Sequence, residues 1–188
     1  MSTPGSASLT GTYAIDPAHS RIGFVARRAM VTKVRGSFDE FESSGYFDAE
    51  NPGNSKLELV IKAASIDTRN ADRDAHLRSN DFFDMDTYPE ITFVSTRIEQ
   101  TGDVRHRVNG DLTIKGVTLP VAADVEYTGA AVDPYGNQRV GFEGTTSVNR
   151  KDWGVNWNAA LEAGGVLVSE NVTLKLEISA VRSAAEPS

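Results

Sequence analysis

Residues 171–178 read NVTLKLEI, a stretch in which polar and apolar side chains alternate at every position. Successive side chains of a β-strand point to opposite faces of the sheet, so this period of two is typical of a strand with one wet and one dry face. Other segments also read as strands, and the whole chain is predicted to hold about eight. The other segments are residues 22–26, 36–47, 57–63, 91–98, 107–114, 119–127 and 140–148.

Short turn sequences separate several of these strands, at residues 50–53, 101–103 and 133–136. Each contains a Pro that fixes φ, or a Gly or Asn that accepts a positive φ. Connections this short favour antiparallel neighbours, because a parallel crossover needs a dozen or more residues. Eight such strands can close into a barrel or pack as a sandwich, and periodicity alone leaves both architectures open.

The stretch between residues 67 and 88 is the exception and predicts one helix over about 70–84. Asn70 is a suitable N-cap, and acidic residues in the first turn favour the positive end of the helix dipole. Asp74 and Arg78 are spaced to form an i,i+4 pair. We expect a single domain over residues 1–182 and a disordered tail over 183–188.

The composition excludes several classes of function. The 188 residues include 26 acidic and 19 basic side chains, a net charge of −7, which suits neither nucleic acid nor an anionic membrane surface. The absence of cysteine excludes disulfides, zinc–thiolate sites and cysteine nucleophiles. No apolar run is long enough to span a bilayer. Residues 1–10 lack the pattern of a signal peptide, so a cytoplasmic location is expected.

Four blocks in order along the chain resemble the YceI-like family, whose members bind isoprenoid lipids and have a lipocalin-like architecture. The resemblance extends from Tyr13 to about Val181. The blocks are YAIDPAHS at 13–20; SIDT at 65–68 with RDAHLRS at 73–79, DFFD at 81–84 and YPEITF at 88–93; GDLTIKGVT at 110–118; and NRKDWG at 149–154.

The resemblance implies an all-β fold, an eight-stranded antiparallel extended barrel with one helix packed at its side. It also implies a long apolar pore that accepts a polyprenyl chain or a quinone-like tail, and a possible homodimer. Many relatives carry a signal peptide and act in the periplasm, so their cellular role is not transferred to this chain. No cofactor or metal is expected beyond a bound polyisoprenoid or isoprenoid quinone.

The candidate pore residues are the bulky apolar side chains on the inward strand faces. Inward strand residues usually fill a core, and on periodicity alone a filled core is the favoured interpretation. The family resemblance favours a pore lining for the residues taken as a set, but it assigns no single residue to the pore. The set is Phe24, Phe38, Phe41, Phe47, Leu59, Phe93, Leu112, Phe142, Trp153 and Trp157.

The polar candidates for contact with a ligand head group are His19, Arg73, His76 and Arg78. The helix-borne cations suit a polar head at the pore mouth. The preferred interpretation is structural: the charges pair along the helix and satisfy strand ends, which anchors the helix to the barrel. For His19 we prefer a buried ring that is hydrogen-bonded to the backbone. Asp72 and His76 share the spacing of a metal site but lack a third ligand nearby in the sequence.

Two further polar expectations concern single residues. His106 lies between two arginines near a hairpin and is expected to be solvated. Arg150 and Asp152 flank the approach to Trp153 and are expected to form a local ion pair.

Size arguments indicate what such a pore would select. A chain of about forty carbons, at ~0.8 kcal/mol each, has a gross transfer term near 30 kcal/mol. Observed affinities stop near roughly 18–21 kcal/mol because ordering the partners is costly. A head-group contact contributes about 1–3 kcal/mol. The pore is therefore expected to select mainly by length and girth.

No catalytic signature occurs, neither a G-x-S-x-G elbow, a Walker A loop, a dinucleotide fingerprint nor H-E-x-x-H. We therefore predict a binding protein without catalytic residues. Two alternatives stay open: an enzyme that acts on an isoprenoid lipid through His19, His76 and nearby acids, and a barrel that serves only as a scaffold.

Overall fold

The computed structural model of the protein describes residues 9–29, 31–158 and 168–183. These residues form eleven strands and one α-helix, α1, which lies between β6 and β7. The elements are β1 (Gly11–Ile15), β2 (Arg21–Arg28), β3 (Thr32–Phe38), β4 (Phe41–Phe47), β5 (Lys56–Lys62), β6 (Ile66–Asp67), α1 (Ala71–Arg78), β7 (Glu90–Gln100), β8 (Arg105–Ile114), β9 (Val117–Val132), β10 (Gln138–Asn149) and β11 (Asn171–Arg182).

Six of the strands are halves of three interrupted strands. β1 and β2 lie end to end along β11, since β1 pairs with its residues 180–182 and β2 with its residues 173–177. The second interrupted strand consists of β3 and β4, of which β4 pairs with β1 and β3 pairs with β2. The third consists of β5 and β6, of which β5 pairs with β4 and β6 pairs with β3. The sheet therefore contains eight strand paths.

Each strand path pairs antiparallel with the next along the chain, and the last path, β11, pairs with the first. This ring confirms the predicted eight-stranded antiparallel barrel with one helix and rules out the sandwich. A ring of eight strands has an interior that either fills with side chains or holds one small ligand.

Backbone hydrogen bonds continue across the interruptions. The N–H of Asp16 donates to the Ser179 carbonyl oxygen (2.8 Å), and the N–H of Asp39 donates to that of Ser65 (3.1 Å). The N–H of Lys62 likewise donates to the Glu40 carbonyl oxygen (3.0 Å). The strands therefore bend around the interior without opening the ring.

The helix begins where predicted and ends early. The side chain of Asn70 accepts a hydrogen bond from the N–H of Arg73 (3.0 Å) as its N-cap. The helix ends at Arg78 and not at residue 84, because the Ser79 hydroxyl donates to the His76 carbonyl oxygen (2.6 Å) and Asp84 adopts a positive φ of 46° in the turn that follows.

The predicted pair of Asp74 and Arg78 is wrong. The buried Asp74 carboxylate instead accepts hydrogen bonds from the N–H and the hydroxyl of Thr68. Arg78 donates to the carbonyl oxygens of Ala64 and Ile66. Both side chains thus fix the helix to the strand that precedes it.

The connections define two ends of the barrel. The hairpin end carries the turns at residues 48–55, 101–104 and 133–137, and the helix end carries α1 and the loop of residues 150–158. Ser183, the first residue of the expected tail, donates its N–H to the Thr12 carbonyl oxygen (2.8 Å), whereas residues 184–188 and most of the segment 1–10 lie outside the described residues. No helix in the described part of the chain is long and apolar enough to cross a membrane.

Two aromatic rings lie flat against the inner wall because they cover glycines. A Cβ atom on Gly110 would overlap the ring of Phe93, and one on Gly36 would overlap the ring of Phe24. The glycines therefore let these rings lie along the wall and not across the bore.

Gly110→Ala is expected to lower the free energy of unfolding by about 1–3 kcal/mol, because the new methyl group displaces Phe93 and comes within 2.6 Å of the Val94 carbonyl oxygen. Gly53→Ala, at an exposed turn with ordinary contacts, should stay within ~0.5 kcal/mol. Urea unfolding measures both. Equal effects of the two substitutions would contradict the account.

A charged cluster outside the barrel ties the β9–β10 turn to the interruption between β1 and β2. Arg139 donates to the carboxylates of Asp16 and Asp133, each at 2.8 Å. The backbone N–H of Asn137 and the Arg139 guanidinium lower the pKa of Asp133 to about 2. Hydrogen bonds from Arg139 and His19 also lower the pKa of Asp16.

Because the pKa of Asp133 is lower in the folded protein, its carboxylate stabilises the fold above about pH 4, and this stabilisation is lost as the pH falls toward 2. Asp133→Asn should therefore be less stable than the wild type at pH 7, and the difference should shrink as the pH falls from about 4 to 2, where about half of the Asp133 carboxyl is protonated. Urea unfolding across this range tests it, with Asp111→Asn on an exposed strand position as the control. A difference as large at pH 2 as at pH 7 would contradict the assignment.

Candidate functional site

A cavity of about 360 Å³ runs through the barrel from Tyr13 and Phe47 at the hairpin end to Trp153 and Val155 at the helix end. Its wall is almost wholly apolar. On β10 the lining residues alternate from Val140 to Val148, as the period of two requires. At ~3.3 Å per residue and a strand tilt of about 40°, this part of the wall covers roughly 20 Å of the barrel axis.

Eight of the ten candidate pore residues lie on the cavity wall. The two exceptions are Phe41 and Trp157. Phe41 is buried in the apolar core with Ile61 and Ile66 and does not reach the cavity. Trp157 instead packs on His76, with ring centroids 4.6 Å apart. The eight on the wall are Phe24, Phe38, Phe47, Leu59, Phe93, Leu112, Phe142 and Trp153, and their role as ligand contacts stays a prediction.

Arg150 organises the helix end of the cavity. It is buried, and its guanidinium donates to four backbone carbonyl oxygens, so the expected ion pair with Asp152 is wrong. The acceptors are the carbonyl oxygens of Val155 (2.7 Å), Trp157 (2.9 Å), Ser169 (2.9 Å) and Val168 (3.3 Å). Burial lowers the pKa of Arg150, and the charge of Glu170 partly opposes this shift. The planar fork of donors lets one side chain fix two chain segments.

Other contacts at this end support the same arrangement. The Trp153 indole N–H donates to the Leu112 carbonyl oxygen (2.9 Å), which holds its ring in the wall. Lys151 pairs with Glu170 at 2.8 Å. The loop of residues 150–158 is thereby fixed to β8 and to the start of β11.

Arg150→Met should lower the free energy of unfolding by about 2–4 kcal/mol, because one buried and three partly buried carbonyl oxygens lose their donor. Lys151→Met, which removes a half-exposed neighbour, should cost no more than ~1 kcal/mol. Urea unfolding followed by tryptophan emission compares them. Equal stability of the two variants would show that Arg150 does not organise this end.

The helix-borne cations lie away from the cavity wall. Arg73 donates to the hydroxyl and carbonyl oxygens of Thr68, both at 2.7 Å. His76 contacts Asp81 at 2.7 Å and lies edge-on to Trp157. Together with the carbonyl contacts of Arg78, these bonds match the structural interpretation of the cluster, and the head-group assignment of Arg73, His76 and Arg78 finds no support in the geometry.

His19 does not line the cavity, and the expected buried ring is wrong. The side chain is 68% exposed and contacts the Asp16 carboxylate at 2.7 Å. Its contact with a ligand head group stays a prediction. The Asp-Pro turn places it on the outside of the interrupted first strand.

His106 was expected to be solvated, and the structure buries it. Its ring is 8% exposed and belongs to the cavity wall, so the expected solvated side chain is wrong. Burial lowers the pKa of His106, and a hydrogen bond to the backbone of Val104 partly opposes this shift. Nδ1 has no hydrogen-bond partner among the described residues. The period of two along β8 indicates the burial of His106, since His106 shares a face with Val108, Gly110 and Leu112.

Within the described residues, no group of three or more His, Asp or Glu side chains is placed to hold a metal ion. In particular, His76 faces Asp81 and does not share a site with Asp72. The interior is a long cavity with an almost wholly apolar wall.

The family sequence model described as the YceI-like domain matches residues 13–180 of this chain, which is nearly the whole barrel. The chain belongs to the YceI-like family. The match begins at Tyr13 in β1 and ends at Ala180 in β11, so it spans all eight strand paths of the ring.

One relative by sequence and two solved structures are similar to this chain. The chain is 40% identical over 175 residues to UPF0312 protein SAS2572 of Staphylococcus aureus, covering 93% of this chain and 98% of that protein. The crystal structure of BcnA from Burkholderia cenocepacia matches with a TM-score of 0.78 at 25% identity, over 88% of this chain and 98% of that one. A polyisoprenoid binding domain from Saccharophagus degradans shares the fold, with a TM-score of 0.69 at 16% identity over 91% and 98% of the two chains.

Proposed function

We propose that this YceI-like protein binds a long isoprenoid lipid, polyprenyl or quinone-like, in its internal cavity, and that it sequesters or carries the lipid without covalent chemistry. The observation that carries the proposal is the apolar cavity that runs from the hairpin end to the helix end. A structural neighbour described as a polyisoprenoid binding domain supports the choice of ligand class.

The free-energy cost of leaving the cavity empty supports the presence of a bound ligand. At about 24 cal/mol per Å³, 360 Å³ left unfilled in a core costs roughly 9 kcal/mol. That is as large as the whole stability of a typical domain, about 5–15 kcal/mol. A protein selected only as a scaffold would gain by filling this space with larger side chains, which argues against the scaffold alternative.

The length of the cavity favours a chain longer than that of a membrane lipid. The hydrocarbon core of a bilayer is about 30 Å thick and holds two leaflets, so one acyl chain covers about 15 Å. The wall between Val140 and Val148 covers roughly 20 Å, and the lining extends beyond both residues. A polyisoprenoid tail uses this length more fully than a single acyl chain does.

The enzyme alternative relied on His19 and His76, and both side chains lie outside the cavity. A lipid in the bore would not meet either imidazole. This placement favours binding without catalysis. The homodimer and the cytoplasmic location stay predictions from the sequence.

Leu176→Trp tests the proposal because Leu176 lines the cavity opposite Gly144, where a larger ring would block the bore. The variant should bind a polyprenol of eight to eleven isoprene units at least ~10-fold more weakly than the wild type, since every 1.4 kcal/mol of lost burial is tenfold in affinity. Native mass spectrometry of protein incubated with the lipid measures the bound fraction.

Lys175→Trp is the matched control, one residue away on the exposed face of the same strand. It should bind the polyprenol as the wild type does. The bound lipid should raise the melting temperature of the wild type and of Lys175→Trp. A wild type that takes up no polyprenol, or equal binding by the two variants, would overturn the proposal.

A further inference from the structure

His106 differs from the other polar residues of the cavity wall. The polar atoms of several of those residues are engaged by the protein itself, whereas Nδ1 of His106 is left without a partner among the described residues. The engaged groups are the Tyr13 hydroxyl with the Leu9 carbonyl oxygen (2.7 Å), the Ser55 hydroxyl with the Asp48 N–H (2.9 Å), the Thr146 hydroxyl with the Ala122 carbonyl oxygen (2.7 Å) and the Arg150 guanidinium with its four carbonyl oxygens.

Burial lowers the pKa of His106, so the ring is neutral at pH 7, with a proton on one nitrogen and a lone pair on the other. Nδ1 is the buried nitrogen that has no hydrogen-bond partner among the described residues. The tautomer with the proton on Nε2 and the lone pair on Nδ1 belongs to the inference drawn below, and a ligand that can donate a hydrogen bond distinguishes it from the other tautomer.

A buried acceptor without a donor is unfavourable, and native proteins rarely keep one without a reason. A trapped water is a poor answer here, because a buried water needs about two to four polar partners and the wall around His106 is apolar. The ladder partners of His106 are Val125 on β9 and Gln100 on β7. Gln100 is exposed, does not line the cavity, and donates its side-chain amide to the Asp103 carbonyl oxygen (3.4 Å). Val108 and Ile98 line the cavity nearby.

We propose that Nδ1 of His106 accepts a hydrogen bond from a hydroxyl group of the bound lipid, so that the pore takes a hydroxyl-bearing isoprenoid, either a polyprenol or the reduced quinol form of an isoprenoid quinone. The inference rests on the proposed function and adds the chemistry of the head group. It places the hydroxyl toward the hairpin end, with the tail directed at Trp153.

The tautomer with Nδ1 as the acceptor, together with the apolar wall, disfavours two other head groups. A quinone carbonyl only accepts hydrogen bonds and would face a second acceptor at Nδ1. A diphosphate would bring negative charge beside a neutral ring in an apolar wall, where a buried charge needs a cationic partner. The tail still dominates the affinity, so His106 selects among lipids of equal length.

The test compares a polyprenol with its methyl ether, which has the same tail but no donor. The wild type should bind the alcohol about 10-fold more tightly than the ether, the ratio expected for one buried hydrogen bond. His106→Leu should bring this ratio close to one while the ether still binds. His19→Leu, the same change at an exposed position, should keep the wild-type ratio.

Nitrogen NMR of the histidine rings supplies a second measurement on the unaltered protein, which has only three histidines. The Nδ1 resonance of His106 should shift when the alcohol binds and stay in place when the ether binds. Equal affinities of the wild type for alcohol and ether, or an unmoved resonance in the alcohol complex, would overturn the inference and leave the proposed function intact. Failure to bind either lipid would overturn both.

Discussion

The antiparallel pairing of β11 with both halves of the first strand closes the sheet, and the rest of the structure depends on this closure. A closed ring of eight strands has no free edge, and its inward side chains share one interior. The interruptions near Asp16, Asp39 and Ala63 bend the first three strand paths while backbone hydrogen bonds keep the ring continuous. The backbone around the long interior is therefore paired over most of the ring, and the short pairing of β3 with β6, at Ser37 and Phe38, is its least paired part.

Closure alone does not decide whether the interior is filled, and three local features shape it. Phe24 and Phe93 lie over glycines of neighbouring strands, so that their rings lie along the wall. At the helix end, Arg150 and the Trp153 indole bind backbone carbonyl oxygens and hold a loop against the barrel. At the hairpin end, edge-to-face contacts join Tyr13, Phe47 and Phe142. The cavity lies between these two fixed ends.

The sequence predicted the strands well because the period of two reports directly on which side chains face inward, as residues 172–178 show. It also predicted the start of the helix, since an N-cap at Asn70 is a local signal. One kind of error concerns contacts between residues far apart in the sequence. Arg150 binds the carbonyl oxygens of Val168 and Ser169, and nothing near it in the sequence indicates those partners.

His106 was misjudged for the opposite reason, because its two arginine neighbours suggested solvent although they lie on the other face of the strand. Face periodicity is a better guide to burial than the polarity of adjacent residues. The candidate head-group residues on the helix were plausible from charge alone, and only the contacts of Arg73 with Thr68 and of Arg78 with Ala64 and Ile66 show that these side chains serve the fold.

The most direct test of the account is native mass spectrometry of the protein purified from its own host, followed by organic extraction of any bound molecule. The account predicts one lipid per cavity, with a series of masses that differ by one isoprene unit. An empty protein that also ignores added polyprenyl lipids, or a cavity occupied only by acyl lipids, would contradict it.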